Sequence, residues 1–477
     1  MAVARLDRPS GSGPGASEAY RTLADASLPR ASYPKLHPGP GAASEQVGCN
    51  QRARIYGAMI ELVAERGYGA VTVRELVRLA GVSTHTFYEH FQDKQECFLG
   101  VYQLLVRRSV KLVGAAQKDC PDWWERLRLA FLAFAGGIAR EPKAARLALV
   151  EAFAGGPAAL EHMRRAEATF EAMIEQSFAR APDRIVVPPL VVKGIVAGVH
   201  RVARAQLLAG RAHELPGLAD ELLEWALCFR CQDATALGQL DDPPAPAQPG
   251  TAAHAMHGGD GGMRGDDRTR ILDAVAWLAA EEGYWQLTVP RIRVAARVSR
   301  KRFDQHFEDV QGCFIAALEH HTNRALAYVA PAGATGRTWP GGLHRALHAL
   351  CAYVAADPVF ARLGFIEVFA PGPDGMRCRE RVIAGVAESF RASAPAAQRP
   401  SELAAEASIG AVWGIIHHHV ALGRAHHLPS TAGVLSYLAL APAIGAQQAA
   451  QAITGEQGQM RTTACVRGQQ KNRRRGV

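Results

Sequence analysis

The stretch from Gly81 to Lys94, GVSTHTFYEHFQDK, sorts into two kinds of residue. Phe87 and Phe91, four apart, suit the buried side of a short helix, while Ser83, Thr84, His85, Thr86, Tyr88 and His90 project elsewhere and are all hydrogen-bonding types. A stripe of short donors and acceptors at the start of a helix can read base edges in a DNA major groove, with hydroxyls and helix-end N–H groups holding phosphates. Lys94, one turn further on, is placed to meet the adjoining backbone.

Residues set out for reaction chemistry are scarce by comparison. Cys228 and Cys231 have the CxxC spacing of a redox or zinc site, yet no second pair or nearby histidine completes four ligands. His417, His418 and His419, and His426 and His427, are consecutive, so on a helix they point about 100° apart and cannot converge on one ion. His344 and His348 have better spacing but no carboxylate partner, and no metal is expected. No phosphate-binding glycine loop with its lysine, no GxSxG elbow and no kinase signature is present, so an enzyme is not expected.

The polar stripe needs a scaffold, and the preceding residues supply it. Thr72-Val-Arg-Glu75 has the form of a capping box and predicts a helix running through Leu76, Val77, Leu79 and Ala80. Gly81 ends it, because glycine accepts the left-handed backbone of a tight turn; Val82 is a plug, and Ser83 caps the second helix from Thr84 to Phe91. This is helix-turn-helix grammar, and Thr72 and Arg74 complete the expected DNA-facing set of the first half.

The same grammar returns later in the chain. Residues 55–98 align without a gap against 271–314 at a constant offset of 216, with 19 identities in 44 positions. Glu151, Phe153 and Pro157 match Glu367, Phe369 and Pro373 at that offset, and Gly210-Arg-Ala-His213 matches Gly423-Arg-Ala-His426 at 213. Two related lobes are therefore expected. Between them 238–265 is Pro/Gly/Ala-rich and reads as a flexible linker. The expected organisation is a disordered segment 1–48, a helix-turn-helix domain 49–108, a helical regulatory domain 109–237, the linker, a degenerate helix-turn-helix domain 266–324, a second helical domain 325–446 and a basic disordered tail 447–477. Apolar spacing is helical throughout, as at Ile55, Met59, Leu62 and Val63 and at Ile271, Val275 and Leu278, so the fold class is all-α.

The 477 residues, 48% hydrophobic, are enough for several cores. No run of 18 apolar residues and no signal-like apolar core occurs, so a cytoplasmic protein without membrane contact is expected. The formal charge of +9 owes six units to the tail 461–477, so whole-chain charge alone is no argument for nucleic acid.

The segment LAGVSTHTFYEHFQDKQECF resembles the DNA-binding signature of the tetracycline-repressor (TetR) family of bacterial transcriptional regulators. Ala80, Gly81, Val82, Ser83, Thr86, Phe87, Tyr88, His90, Phe91, Asp93 and Lys94 meet its pattern. The resemblance implies a regulator, usually a repressor, that binds double-stranded operator DNA and responds to a small-molecule effector taken up among its C-terminal helices. It implies base reading by Thr84 and His85, and phosphate contacts by Thr86, Tyr88, His90 and Lys94. Aromatic residues including Trp123, Trp124, Phe131, Phe134, Trp339, Tyr353, Phe360, Phe365 and Phe369 are candidates for an effector pocket or for plain core.

The second lobe keeps Val298, Ser299, Phe303, His306 and Phe307, but carries Arg297 for the turn glycine, Asp304 for the tyrosine and Val310 for the lysine. Ser299, Arg300, Lys301, Arg302 and His306 are its candidate DNA contacts, with a purely architectural second lobe as the alternative. Members of the family act as dimers. Here either an intramolecular pseudo-dimer on an asymmetric site or an ordinary homodimer is compatible with the sequence.

Overall fold

The computed structural model describes residues 29–36, 44–118, 120, 122–183, 185, 187–231, 240, 266–458 and 460. Among them the fold is all-α, with no strand, and no single helix is long and apolar enough to cross a membrane. Two compact units form, one from residues up to Ala181 together with Ala203–Leu223, the other from Pro182–Val202 together with Glu224 onward.

The first unit opens with α1 (Ser44–Arg66), α2 (Val73–Ala80), α3 (Thr84–His90) and α4 (Lys94–Ala116). Ile55, Tyr56, Met59, Val63, Leu76, Phe87, Phe98 and Val101 are buried and form one core beneath these helices. The rest of the unit contains α5 (Trp123–Arg140), α6 (Pro142–Leu149) and α7 (Gly156–Phe178). The expectation of disorder up to residue 48 is corrected in part. Backbone at Arg30 and Ala31 lies where a side chain at Gly57 would stand, Asn50 Nδ2 donates to Pro34 O at 3.0 Å, and α1 already starts at Ser44. Residues 1–28 lie outside the described set.

The second unit takes in α8 (Pro189–Leu208) up to Val202 and the end of α9 (Ala219–Leu227). Its own helix-turn-helix comprises α10 (Asp267–Glu282), α11 (Val289–Ala296), α12 (Arg300–Asp304) and α13 (Val310–Ala334). There follow α14 (Trp339–Ala356), α15 (Pro358–Phe365), α16 (Pro373–Ser393), α17 (Glu402–Ala421), α18 (Leu428–Ile444) and α19 (446–458). The last corrects the tail expected from 447: Ala449, Ala450 and Ile453 are fully buried, and Arg345 Nε donates to Glu456 Oε1 at 2.5 Å. Within the expected linker only Leu240 is described, and it is buried; the other residues of 238–265, and 461–477, lie outside the described set.

Positions 216 apart do the same work in each unit. The Tyr68 backbone N–H donates to Glu151 Oε2 at 3.1 Å, and the Tyr284 N–H donates to Glu367 Oε2 at 3.0 Å. Arg146 backs the first carboxylate at 3.7 Å and Arg362 the second at 3.3 Å. Both carboxylates thus hold the short 3-10 turn ahead of the helix-turn-helix against the helical region that follows. Burial raises the Glu151 pKa, against the Tyr68 N–H and Arg146, which act to lower it.

Candidate nucleic-acid interface

Local bonding fixes the two helices of the first motif. Glu75 N–H donates to Thr72 Oγ1 at 3.3 Å while Thr72 N–H donates to Glu75 Oε2 at 3.1 Å, the reciprocal capping box. Its hydrogen bonds from Thr72 keep the Glu75 carboxyl below its usual pKa. Gly81 closes α2 at φ 62°, ψ 38°, and the buried Arg54 guanidinium donates to Ala80 O at 2.8 Å and Gly81 O at 2.7 Å. A cation thereby meets the carbonyl end of α2. Ser83 Oγ accepts from Thr86 N–H at 2.9 Å and starts α3.

On that frame Thr84, His85 and Tyr88 stand exposed, as do Thr72, Arg74 and Ser83, and Tyr88 keeps 54% of its surface open. Thr86 is half-buried, its hydroxyl 2.9 Å from Ser83 Oγ. Glu89 faces His85 at 3.3 Å and sets an acid beside the exposed stripe. Helical spacing of four is the signal that would have found it.

His90 and Lys94 depart from the expected phosphate roles. His90 Nε2 lies 3.1 Å from Gln51 Oε1, and burial lowers the ring's pKa. Lys94 Nζ donates to Tyr68 O at 3.0 Å and Val71 O at 2.8 Å, and sits 4.4 Å from the Tyr68 ring centroid. Burial lowers its pKa too. The reason is steric: both side chains leave the helix ends toward α1 or the 3-10 turn, where carbonyl and amide oxygens wait.

The second motif keeps the frame and changes the face. Arg297 is the one non-glycine residue with positive φ among those described, at 52°, at the position Gly81 holds in the first motif. Ser299 still caps, accepting from Arg302 N–H at 3.3 Å. Ser299, Arg300, Lys301, Arg302 and His306 are all exposed. Arg300 pairs with Asp304 at 3.2 Å, and Arg302 with Asp267. Residues 266–324 carry nine basic and nine acidic side chains, against eight and six in 49–108, so the second domain is neutral. Exposed Val294 occupies the place of Arg78.

Elsewhere the expected aromatic residues separate. Tyr353, Phe360 and Phe365 touch in sequence, and Phe365 stacks on Trp413 at 5.5 Å. Trp413 also stacks on His417 at 5.1 Å and carries the Arg379 guanidinium 3.8 Å from its ring centroid. Trp339 packs on Phe390 instead, and Trp124 is exposed. His344 bonds Ser436 Oγ at 2.8 Å, and burial lowers its pKa to about 4. Cys228 Sγ donates to Trp225 O at 2.8 Å, and burial raises its pKa.

Residues 55–101 match the model of bacterial regulatory proteins of the tetR family. The TetR-type likeness rests on this segment of the chain. A relative, the HTH-type transcriptional activator FasR of Mycolicibacterium smegmatis, is 35% identical over 97 residues, 20% of this chain and 44% of its own length. The chain thus spans less than half of that relative. Among solved structures, the fatty acid degradation regulator FadR from Bacillus halodurans has 16% identity and TM-score 0.35, covering 40% of this chain and 97% of that one. A TetR-like regulator from Rhodococcus sp. RHA1 has 17% identity and TM-score 0.33, covering 37% and 95%. The TetR-type match lies on α1–α4, the helices that carry the exposed stripe.

Proposed function

We propose that the protein is a sequence-specific transcriptional regulator in which α3 enters the major groove, Thr84 and His85 read base edges, and Tyr88, Thr86 and Ser83 orient the helix on phosphates. The observation that carries this is the capped seven-residue helix presenting Thr84, His85 and Tyr88 to solvent on a TetR-type frame. Thr72 and Arg74, exposed at the first turn of α2, extend the phosphate contacts. Regulation is by a small-molecule effector held among the C-terminal helices. Its sign follows from where the operator lies relative to the promoter.

The chain arises from a tandem duplication and works as an intramolecular pseudo-dimer on an asymmetric site. Paired geometry supports this: Tyr68–Glu151 with Tyr284–Glu367, and helix-ending Gly210 and Gly423 at φ 71° and 67°. In the second motif Ser299, Lys301 and His306 are free to meet phosphates, whereas Arg300 and Arg302 first have to leave their carboxylates. The second half-site is therefore bound more weakly and with less sequence preference.

A footprint on the DNA upstream of the protein's own gene tests both readings. Alanine at 84–86 is expected to abolish one half of the protected site, with each lost base contact worth about 1–3 kcal/mol. Alanine at 300–302 is expected to weaken the adjoining half more mildly. Protection unaffected by the first set of changes overturns the recognition reading, and a palindrome lost only with that set overturns the pseudo-dimer.

A further inference from the structure

Inside the second unit, α8 and α17 cross at close range. A Cβ on Gly414 would lie 2.4 Å from Ala197 Cβ, and one on Gly410 would lie 2.5 Å from Arg201 Cβ. At the 213 offset, 197 matches 410 and 201 matches 414. The contacts 197–414 and 201–410 are therefore reciprocal, the pattern of a two-fold interface in which i meets j and j meets i.

The charges break that symmetry. Arg201 is 2% exposed; its guanidinium meets Glu380 at 2.7 Å and Glu406 at 3.8 Å. At the 213 offset Glu406 matches Lys193 and Gly414 matches Arg201, while in the preceding helix, where the offset is still 216, Glu380 matches Arg164. A first-half face set against a copy of itself would thus confront Arg201 with a lysine and an arginine. A second-half face set against itself would bury Glu380 and Glu406 with glycine opposite. Glu380 also has Arg379 beside it, so the buried group that depends on the pairing is Arg201: only the unlike pairing sets carboxylates against it, and an unpaired buried charge is heavily penalised. Discrimination between partners of one shape arises in this way, from what the wrong pair would bury.

We infer that Arg201, with Glu380 and Glu406, makes the first half's partner the second half of the same chain, so that the protein is a monomer. The inference rests on the pseudo-dimer reading above, but it predicts a mass that is measured without DNA.

Sedimentation of the full chain, without DNA and over a hundredfold range of concentration, is expected to give a single species near 51.2 kDa. A species of twice that mass overturns the inference. Arg201→Glu is expected to lower the urea midpoint of the unit's unfolding, and adding Glu380→Arg and Glu406→Lys to the same chain is expected to recover at least half of the loss. No recovery overturns it. If Arg201→Glu does not fold, the mass of the unchanged protein still decides. A monomer that ignores DNA leaves this interface standing and removes only the recognition reading.

Discussion

Glu282 and Arg291 form an ion pair whose signs are the reverse of the matching residues, Arg66 and Glu75, which meet at 2.5 Å. Both pairs tie the end of one helix to the start of the next-but-one turn. Reversal preserves the tie, but Glu75 also completes a capping box and Arg291 cannot: Thr288 makes no side-chain cap bond. Pro290 in the first turn compensates, because its fixed φ suits a helix start. The exchange also takes Arg291 out of the cations available to DNA.

Arg300 and Arg302 of the second motif are held by removable carboxylates. Asp267→Asn and Asp304→Asn are each expected to strengthen binding to non-specific DNA. Each freed arginine is expected to steepen the dependence of log K on log salt by about 0.9 per phosphate gained. Anisotropy titrations at three salt concentrations measure this, and unchanged slopes show that Arg300 and Arg302 do not reach phosphates.

The turn positions make a matched pair of opposite expectations. Gly81→Ala forces a side chain into φ 62° and places its Cβ 2.8 Å from Lys35 Cε, so a loss of about 1–2 kcal/mol is expected. Arg297→Gly relieves the same backbone strain and is expected to stabilise its unit by up to about 1 kcal/mol. Denaturant unfolding of each variant checks the signs.

Lys94→Ala distinguishes a phosphate contact from an internal one. With Val71 O stripped of its Lys94 donor and Tyr68 O left only its bond from the Val71 N–H, stability is expected to fall by about 1–3 kcal/mol, while the salt slope of DNA binding stays unchanged. A slope lower by about one with unaltered stability would return Lys94 to the phosphate role.

His344 gives the second unit a dependence on acid. An unfolded histidine near 6.5 takes up a proton before the buried one, which waits until about 4. The unfolded state therefore binds more protons in that window, and stability present above pH 6.5 is lost as pH falls toward 4, by roughly 3 kcal/mol at most. Comparison with His344→Gln across pH 4–7 should show the wild type losing its margin over the variant on acidification. A constant difference would count against the neutral buried ring.

Much of this was legible in the sequence because backbone demands leave strong marks. A capping box, a turn glycine and a serine cap specify α2 and α3 almost residue by residue, and the left-handed cost at Arg297 follows from its register with Gly81. Side-chain direction at a helix end leaves no such mark. His90 and Lys94 are polar residues beside a polar stripe, and only the placing of Gln51 and of the carbonyls at 68 and 71 turns them inward. The helix 446–458 escapes a sequence reading because its buried apolar residues are only two alanines and Ile453, which hydropathy hardly separates from a tail. Glu151 and Glu367 showed as a matched pair, but their bonds span 83 residues, which no local pattern encodes.

Positions 201 and 414 stand at the same register, yet one bears a guanidinium and the other no side chain. Two identical subunits cannot hold such an arrangement, since any inherited change would appear on both sides of the axis at once. Joined in one gene, each side is inherited separately. On the pseudo-dimer proposed above, a substitution at Thr84 would alter recognition of one half of a site and leave the other as it was, so such a regulator would change its DNA target one half at a time.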